Sequence, residues 1–331
     1  MNQIVRYLAV TSFLLSIPVL SFAQNKDLTR IRVSYSSIGA ASLSTWVAVD
    51  AGIFNKHGLD VGLIYIGGGP RAMSTTIANE TQITQGAGTG SILAKVGGAD
   101  TVMFATLLNT TPQSLIVHPD LRSPQELKGK KLGVTRFGAL SDFGVRKYLQ
   151  KINLEPEKDV TILQLGGLPE ILAAMQSGAI HGGALSSPAL TKAKHLGFKE
   201  MMDLGNLGIQ YPGLSYMATE AYIKTHRPIV INFLKAIIES THSLKRNKDF
   251  TIRVLKKYTK MDEPAVLDET YELFTQRYFR LVPTPSGEEV KTVLDQIKDP
   301  KARTTDYDSF IRTDLIREIE QSGFIKALAK S

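Results

Sequence analysis

The sequence predicts an α/β protein of two similar lobes, each a mainly parallel sheet flanked by helices, joined by a hinge of two crossing strands. Three observations carry this. Short apolar runs alternate with helical patterns from residue 30 to about residue 195, the rhythm of strands covered on both faces by crossover helices. Part of that rhythm repeats at an offset of 99 residues: Gly39, Ala40 and Ser42 answer to Gly138, Ala139 and Ser141, and Asp60, Val61, Gly67, Gly68 and Pro70 answer to Asp159, Val160, Gly166, Gly167 and Pro169. These positions punctuate a strand–loop–helix unit, where glycine and proline serve the backbone. From Pro228 onward the strands stop, and helical stripes take over at Val230, Phe233, Leu234, Ile237, Thr241 and Leu244, then at Leu267, Tyr271, Phe274 and Tyr278.

Taken in order, Arg30 to Tyr35 alternates as a strand and breaks at Ser36-Ser37-Ile38-Gly39. A helix follows from Ser42 to Phe54 and ends at Gly58. Val61 to Ile66 is almost wholly apolar, as in a strand buried on both faces, and Pro70 opens the next helix, since proline suits a first helical turn. Gln82 to Gln85 is a short strand, Gly86 to Gly90 a glycine-rich loop into a helix ending near Lys95, and Thr101 to Leu107 a further strand. The pattern restarts with a strand at Lys131 to Thr135, a loop at Arg136 to Ser141 and a helix at Asp142 to Gln150. Val160 to Leu165, Pro169 to Gln176 and Ala179 to Leu185 then read as strand, helix and strand, and Ser186-Ser187-Pro188 opens a helix to His195. Leu115-Ile116-Val117 and Leu214 to Ala218 are extended segments on either side of the second repeat. They read as crossings, so that residues 117–218 form a second lobe inserted into a first lobe built from 24–116 and 219–331. The late helices are expected to pack on the first lobe.

The N-terminus reads as an address. Arg6 supplies a positive start, Tyr7 to Leu20 an apolar run, and Ser21-Phe22-Ala23 the small residues a signal peptidase reads. Residues 1–23 are therefore expected to be a cleaved signal peptide: the run is shorter than the ~20 apolar residues of a spanning helix and contains Ser12, Ser16 and Pro18. The chain of 331 residues contains no cysteine, which excludes disulfides, thiolate metal sites, a cysteine nucleophile and a lipidated N-terminal cysteine. An exported, unlipidated, cysteine-free chain fits the periplasm. The formal charge of +8 is spread among interspersed acids, with no basic stripe interleaved with aromatics, so no nucleic-acid partner is expected.

In parallel α/β sheets, ligands bind beyond the carboxyl ends of the strands. The loops there carry Ser36, Ser37, Gly39, Gly68, Arg71, Gly88, Thr89, Thr135, Arg136, Ser141, Gly167 and Ser187. Each loop leads into a helix start, where free backbone N–H groups and the helix dipole favour anions. Arg136 could offer a planar fork of donors to a carboxylate or sulfonate, or bridge the lobes. Tyr216, near the second crossing, could line the cleft or fill the hinge, and Trp46 reads as core. Enzyme signatures are missing. His57, His118, His181, His195, His226 and His242 show no i, i+4 pairing, and there is no HExxH, no GxSxG and no P-loop. No catalytic residue, metal or cofactor is expected.

Trp46 to Val61, with Asp50-Ala51-Gly52-Ile53-Phe54 and His57-Gly58-Leu59-Asp60-Val61 inside it, resembles the first-helix motif of the nitrate/sulfonate/taurine class of ABC-transporter substrate-binding proteins, which includes a thiamine-precursor-binding branch. Leu127-Lys128-Gly129-Lys130-Lys131-Leu132-Gly133-Val134 is similar to that family's entry into its second lobe. Ala173 to Ile180 is similar to its ALxxGxID segment, with His181 where the family usually has Asp. The Arg227-Pro228 helix start is similar too. The resemblance implies a type II periplasmic binding protein, a monomer whose lobes close over a small, anionic organic solute and deliver it to a membrane permease. Related enzymes use a cysteine-rich motif that this chain lacks. The alternatives are a lyase acting on a small carboxylate on the same scaffold, and a periplasmic sensor subunit.

Overall fold

Short β-branched and aliphatic runs form ten strands among the described residues, and these assemble into two sheets. The computed structural model describes residues 28–297, 299–304 and 306–330; the expected signal peptide lies outside the described residues. The strands are β1 (Thr29–Tyr35), β2 (Leu59–Tyr65), β3 (Ile83–Gly86), β4 (Thr101–Leu108), β5 (Ser114–Val117), β6 (Lys131–Val134), β7 (Thr161–Gln164), β8 (Gly182–Leu185), β9 (Lys199–Asp203) and β10 (Leu214–Thr219). The sheet orders are β2-β1-β3-β10-β4 and β7-β6-β8-β5-β9, one topology used twice.

In each sheet one strand opposes the rest. β10 runs antiparallel to β3 and β4, and β5 antiparallel to β8 and β9. These are the two segments expected to cross. β5 follows β4 in the chain but pairs wholly with the second sheet, and β10 follows β9 but pairs wholly with the first. The expected divisions at 116/117 and 218/219 thus fall inside β5 and at the end of β10. The architecture is the expected two-lobed α/β fold, with each sheet mainly parallel.

The helices are α1 (Leu43–Asp50), α2 (Ile53–Lys56), α3 (Gly69–Ile77), α4 (Thr89–Val96), α5 (Leu140–Lys151), α6 (Leu168–Gln176), α7 (Ala189–His195), α8 (Glu220–Thr225), α9 (Arg227–Arg246), α10 (Lys248–Thr259), α11 (Pro264–Leu273), α12 (Gly287–Leu294), α13 (Asp314–Gln321) and α14 (Phe324–Lys330). The single helix expected over Ser42 to Phe54 is two. Gly52 takes a left-handed conformation at φ +67°, which glycine adopts without a Cβ penalty. The turn re-aims Phe54 onto Phe233 of α9, with ring centroids 5.3 Å apart. As the helical stripe required, α9 buries Val230, Phe233, Leu234, Ile237 and Leu244 against the first lobe.

Beside that core, Arg312 lies 2.7 Å from Glu220 and 2.8 Å from Asp314, and Arg227 lies 2.7 Å from both Asp314 and Glu318. Hydrogen bonding from Arg312 first, then from Arg227, holds the Asp314 carboxyl down at about 2. A depressed folded-state pKa contributes stability above the ordinary carboxylate range, and this is lost as pH falls from about 4 towards about 2. Asp314→Asn is expected to lower stability at neutral pH by under about 1 kcal/mol, because the group is partly exposed. It should also flatten the acid limb; urea midpoints measured across that range check both.

Candidate functional site

The two sheets face each other with their carboxyl ends inward, and the loops that follow the strands meet. Backbone and side-chain contacts join the lobes there. Ala40 N–H donates to the Ser187 carbonyl at 3.0 Å, and Arg136 Nε donates to the Gly67 carbonyl at 2.9 Å. Phe143 of α5 packs on Tyr211, in the segment leading back into β10, with ring centroids 3.9 Å apart. At the rim, Lys192 and His195 of α7 reach Glu263 and Glu269 at 2.7 and 3.1 Å, and Arg277 reaches Asp203 at 2.8 Å.

Between the lobes lies a cavity of about 50 Å³, room for roughly three or four waters. Its first-lobe wall is Ser36, Ser37, Ala41, Gly68, Gly69, Gly86 and Ala87; its second-lobe wall is Thr135, Ala139, Leu140, Ser141 and Ser186. Pro112, Gln113, Gly213 and Leu214, from the segments that enter β5 and β10, complete it. No charged side chain lines it among the described residues.

Local sequence explains the wall. Gly68, at φ +88°, and Ala139 are the N-caps of α3 and α5, and neither helix start has a side-chain cap. Away from the cleft both kinds of start occur: Thr219, Asn247 and Ser286 cap α8, α10 and α12 with their side chains, while α9 and α13 have no such cap. The first N–H groups of a helix need partners, and at the cavity α3 and α5 lack side-chain ones. Ser141 Oγ holds the Thr135 loop, accepting from its N–H and bonding its hydroxyl, both at 2.9 Å. Beside the cavity, Asp142 accepts from Gly138 N–H at 2.9 Å and from Arg146 at 2.6 Å. Burial pushes its carboxyl up against the opposing pull of Gly138 and Arg146.

Of the expected residues, the structure brings Ser36, Ser37, Gly68, Thr135 and Ser141 to the cavity wall. Gly39 and Gly167 lie where the lobes touch: a Cβ at Gly39 would stand 3.2 Å from Ser186 Oγ, and one at Gly167 would stand 2.9 Å from Tyr65 Oη. Arg136 spans the cleft, its stem packed over Gly68 and its Nε on Gly67. Thr89 faces an adjoining pocket of about 160 Å³ with Asp142 and Phe143, its buried hydroxyl unpaired.

Four of the expected residues lie away from the cavity wall. Tyr216 is fully buried in the first sheet against Phe233, its hydroxyl 2.8 Å from Thr45, because a central strand has no face free for the cleft. Gly88 packs on Met103 and Pro212. Ser187 turns its hydroxyl to Thr191 at 2.8 Å and offers only its carbonyl to the cleft. Arg71, in the first turn of α3, lies exposed outside the wall. Gln113 and Ser186 were missed. The signal for Gln113 was its place just ahead of the first crossing, where a buried amide has no strand partner of its own.

Gln113 is 6% exposed and its Oε1 has no partner in the protein. An unpaired buried acceptor costs about 1–3 kcal/mol. A larger groove of about 730 Å³ runs outside, between α5 and the segment after α12, away from the strand ends. No group of three or more metal-ligating side chains occurs among the described residues.

The model of the NMT1/THI5-like family matches residues 41–249. The chain belongs to that family. Among curated proteins it is 24% identical to YtlA of Bacillus subtilis (strain 168), named as a binding protein, over 84% of this chain and 86% of the relative. A solved structure from Bordetella bronchiseptica RB50 covers 89% of this chain and 98% of its own at 18% identity, with a TM-score of 0.80. The nitrate-binding protein NrtA of Synechocystis PCC 6803 covers 89% of each chain at 15% identity and TM-score 0.76. The alkanesulfonate-binding protein SsuA of Xanthomonas axonopodis pv. citri, bound to MOPS, covers 81% of this chain and 91% of its own at 18% identity and TM-score 0.71. At these identities the likeness establishes the periplasmic-binding-protein fold.

Proposed function

We propose that this family member is the periplasmic solute-binding component of an ABC importer, which captures a small oxyanion-bearing organic solute between its lobes and presents it to a membrane permease. The observation that carries this is the cavity: α3 and α5 begin at opposite walls, free hydroxyls stand beside them, and no carboxylate lines it. Backbone N–H groups and hydroxyls donate to oxygen at little desolvation cost, and two helix starts add favourable dipoles. NrtA and SsuA, which share the fold, are named for binding nitrate and alkanesulfonate. The mechanism is population shift: a solute touching both walls favours the closed arrangement by its differential affinity. The protein works as a monomer without a cofactor and makes or breaks no covalent bond, and residues 1–23 are removed on export.

A thermal-shift screen of the mature chain against sulfonates, carboxylates and nitrate tests this. A true solute at a hundredfold excess over its Kd stabilises by about 2.7 kcal/mol and raises the melting temperature by several degrees. It should also contract the solution-scattering profile if the free protein opens. No shift with any of these anions would overturn the oxyanion reading.

A further inference from the structure

We propose that Gln113 is the residue that sets specificity at this site, and that it does so by reading a hydroxyl on the solute. The inference rests on the solute-binding reading above and narrows it to small hydroxylated oxyanions. The hydroxyls of Ser36, Ser37 and Ser186 line the cavity and can rotate to donate, so they and the helix starts serve the oxygens of an anion. Gln113 differs from them. Its amide is buried and carries both an acceptor and donors: Oε1 has no partner in the protein, and Nε2 makes no hydrogen bond to a protein group. Its own main-chain carbonyl is held by Leu204 N–H at 3.0 Å, so its backbone is fixed where the chain passes between the sheets. A group on the bound molecule that both donates to Oε1 and accepts from Nε2 answers that amide. A cationic ammonium is a poor donor here, because no carboxylate lines the cavity to pair with it. A neutral O–H near the oxyanion meets both requirements, and the small volume restricts the solute to a handful of non-hydrogen atoms.

The test uses two matched pairs, acetate with glycolate and methanesulfonate with hydroxymethanesulfonate, titrated by calorimetry into the mature protein. The hydroxylated member of each pair is expected to bind at least about tenfold tighter, since a site built to pair a hydroxyl discriminates strongly against its absence. In Gln113→Leu the preference should collapse, with the hydroxylated member losing at least about tenfold more affinity than its plain partner. Gln113→Asn, a shorter amide, serves if the leucine variant fails to fold and should reduce the preference. Equal binding of both members by the wild type, or a full preference retained in Gln113→Leu, overturns the role of Gln113 and leaves the oxyanion site standing. Failure of all four anions to bind overturns the oxyanion reading, and this inference falls with it.

Discussion

Gly68→Ala is expected to weaken solute binding by about tenfold to a hundredfold and, separately, to lower the melting temperature. The two effects have different causes. Gly68 sits at φ +88°, and a side chain held in such a conformation costs about 1–3 kcal/mol. That strain belongs to the first lobe alone, so open and closed forms share it. It lowers stability without changing the equilibrium between them. The second effect comes from across the cleft: an added Cβ would lie 2.7 Å from Arg136 Cδ and 2.8 Å from its Cγ. These atoms are near the root of the side chain and cannot swing clear while Nε stays on Gly67. This clash exists only when the lobes meet, so it is subtracted from the free energy of closure, and every 1.4 kcal/mol is tenfold in affinity. Arg136→Ala alone removes a charged hydrogen bond to Gly67 worth about 1.5–3 kcal/mol. In the double variant the clash disappears, so affinity should recover to that of Arg136→Ala while the melting temperature stays low. If Arg136 instead held the charge of the solute, the losses would add. A double-mutant cycle by calorimetry, on whichever anion the screen identifies, decides between the two.

That contrast marks where sequence reasoning reached its limit. The strand–helix rhythm and the duplicated turns were enough to place both sheets, both crossings and the packing of α9, because each depends on local period and on burial within one lobe. β9 was overlooked, since Lys199 to Asp203 carries two charges among its first two positions and a half-exposed edge leaves no apolar run. At the site, the expected residues that reach the cavity wall are those whose local role and cleft role coincide: Ser36, Gly68, Thr135 and Ser141 shape strand-to-helix turns and line the cavity for the same geometric reason. The position of the others depends on long-range contacts. Tyr216 lies one strand inside the first sheet, which depends on β10 pairing with β3 and β4 rather than ending at the crossing. Arg136 is a charge in the right loop, but its partner is a carbonyl 69 positions earlier in the chain. Gln113 belongs to no motif and becomes conspicuous only when its amide is found buried and unpaired.

Trp46→Ala is expected to cost about 3–5 kcal/mol of folding free energy, the range for truncating a large buried aromatic, out of the roughly 5–15 kcal/mol that holds a typical domain together. Trp46 is fully buried, stacked on Tyr258 at 4.7 Å with planes 4° apart and met edge-on by Tyr35 at 5.9 Å. Tyr258 donates to Asp50 at 2.9 Å and Lys257 reaches the same carboxylate at 2.8 Å, so α10 is clamped to α1 at the indole and again one turn on. Removing the indole leaves a void that the clamped helices cannot collapse into, which places the cost at the upper part of the range. Trp46→Phe should be far milder, within about 1.5 kcal/mol, because the lost volume is partly offset by removing an indole N–H that has no partner. Since Trp46 is the only tryptophan, urea unfolding has to be followed by far-ultraviolet circular dichroism. A fallen midpoint with an unchanged slope identifies a loss of packing. Solute affinity of the folded Trp46→Phe variant should equal that of the wild type. A large loss of affinity with little change in stability would instead make Trp46 a platform for the solute.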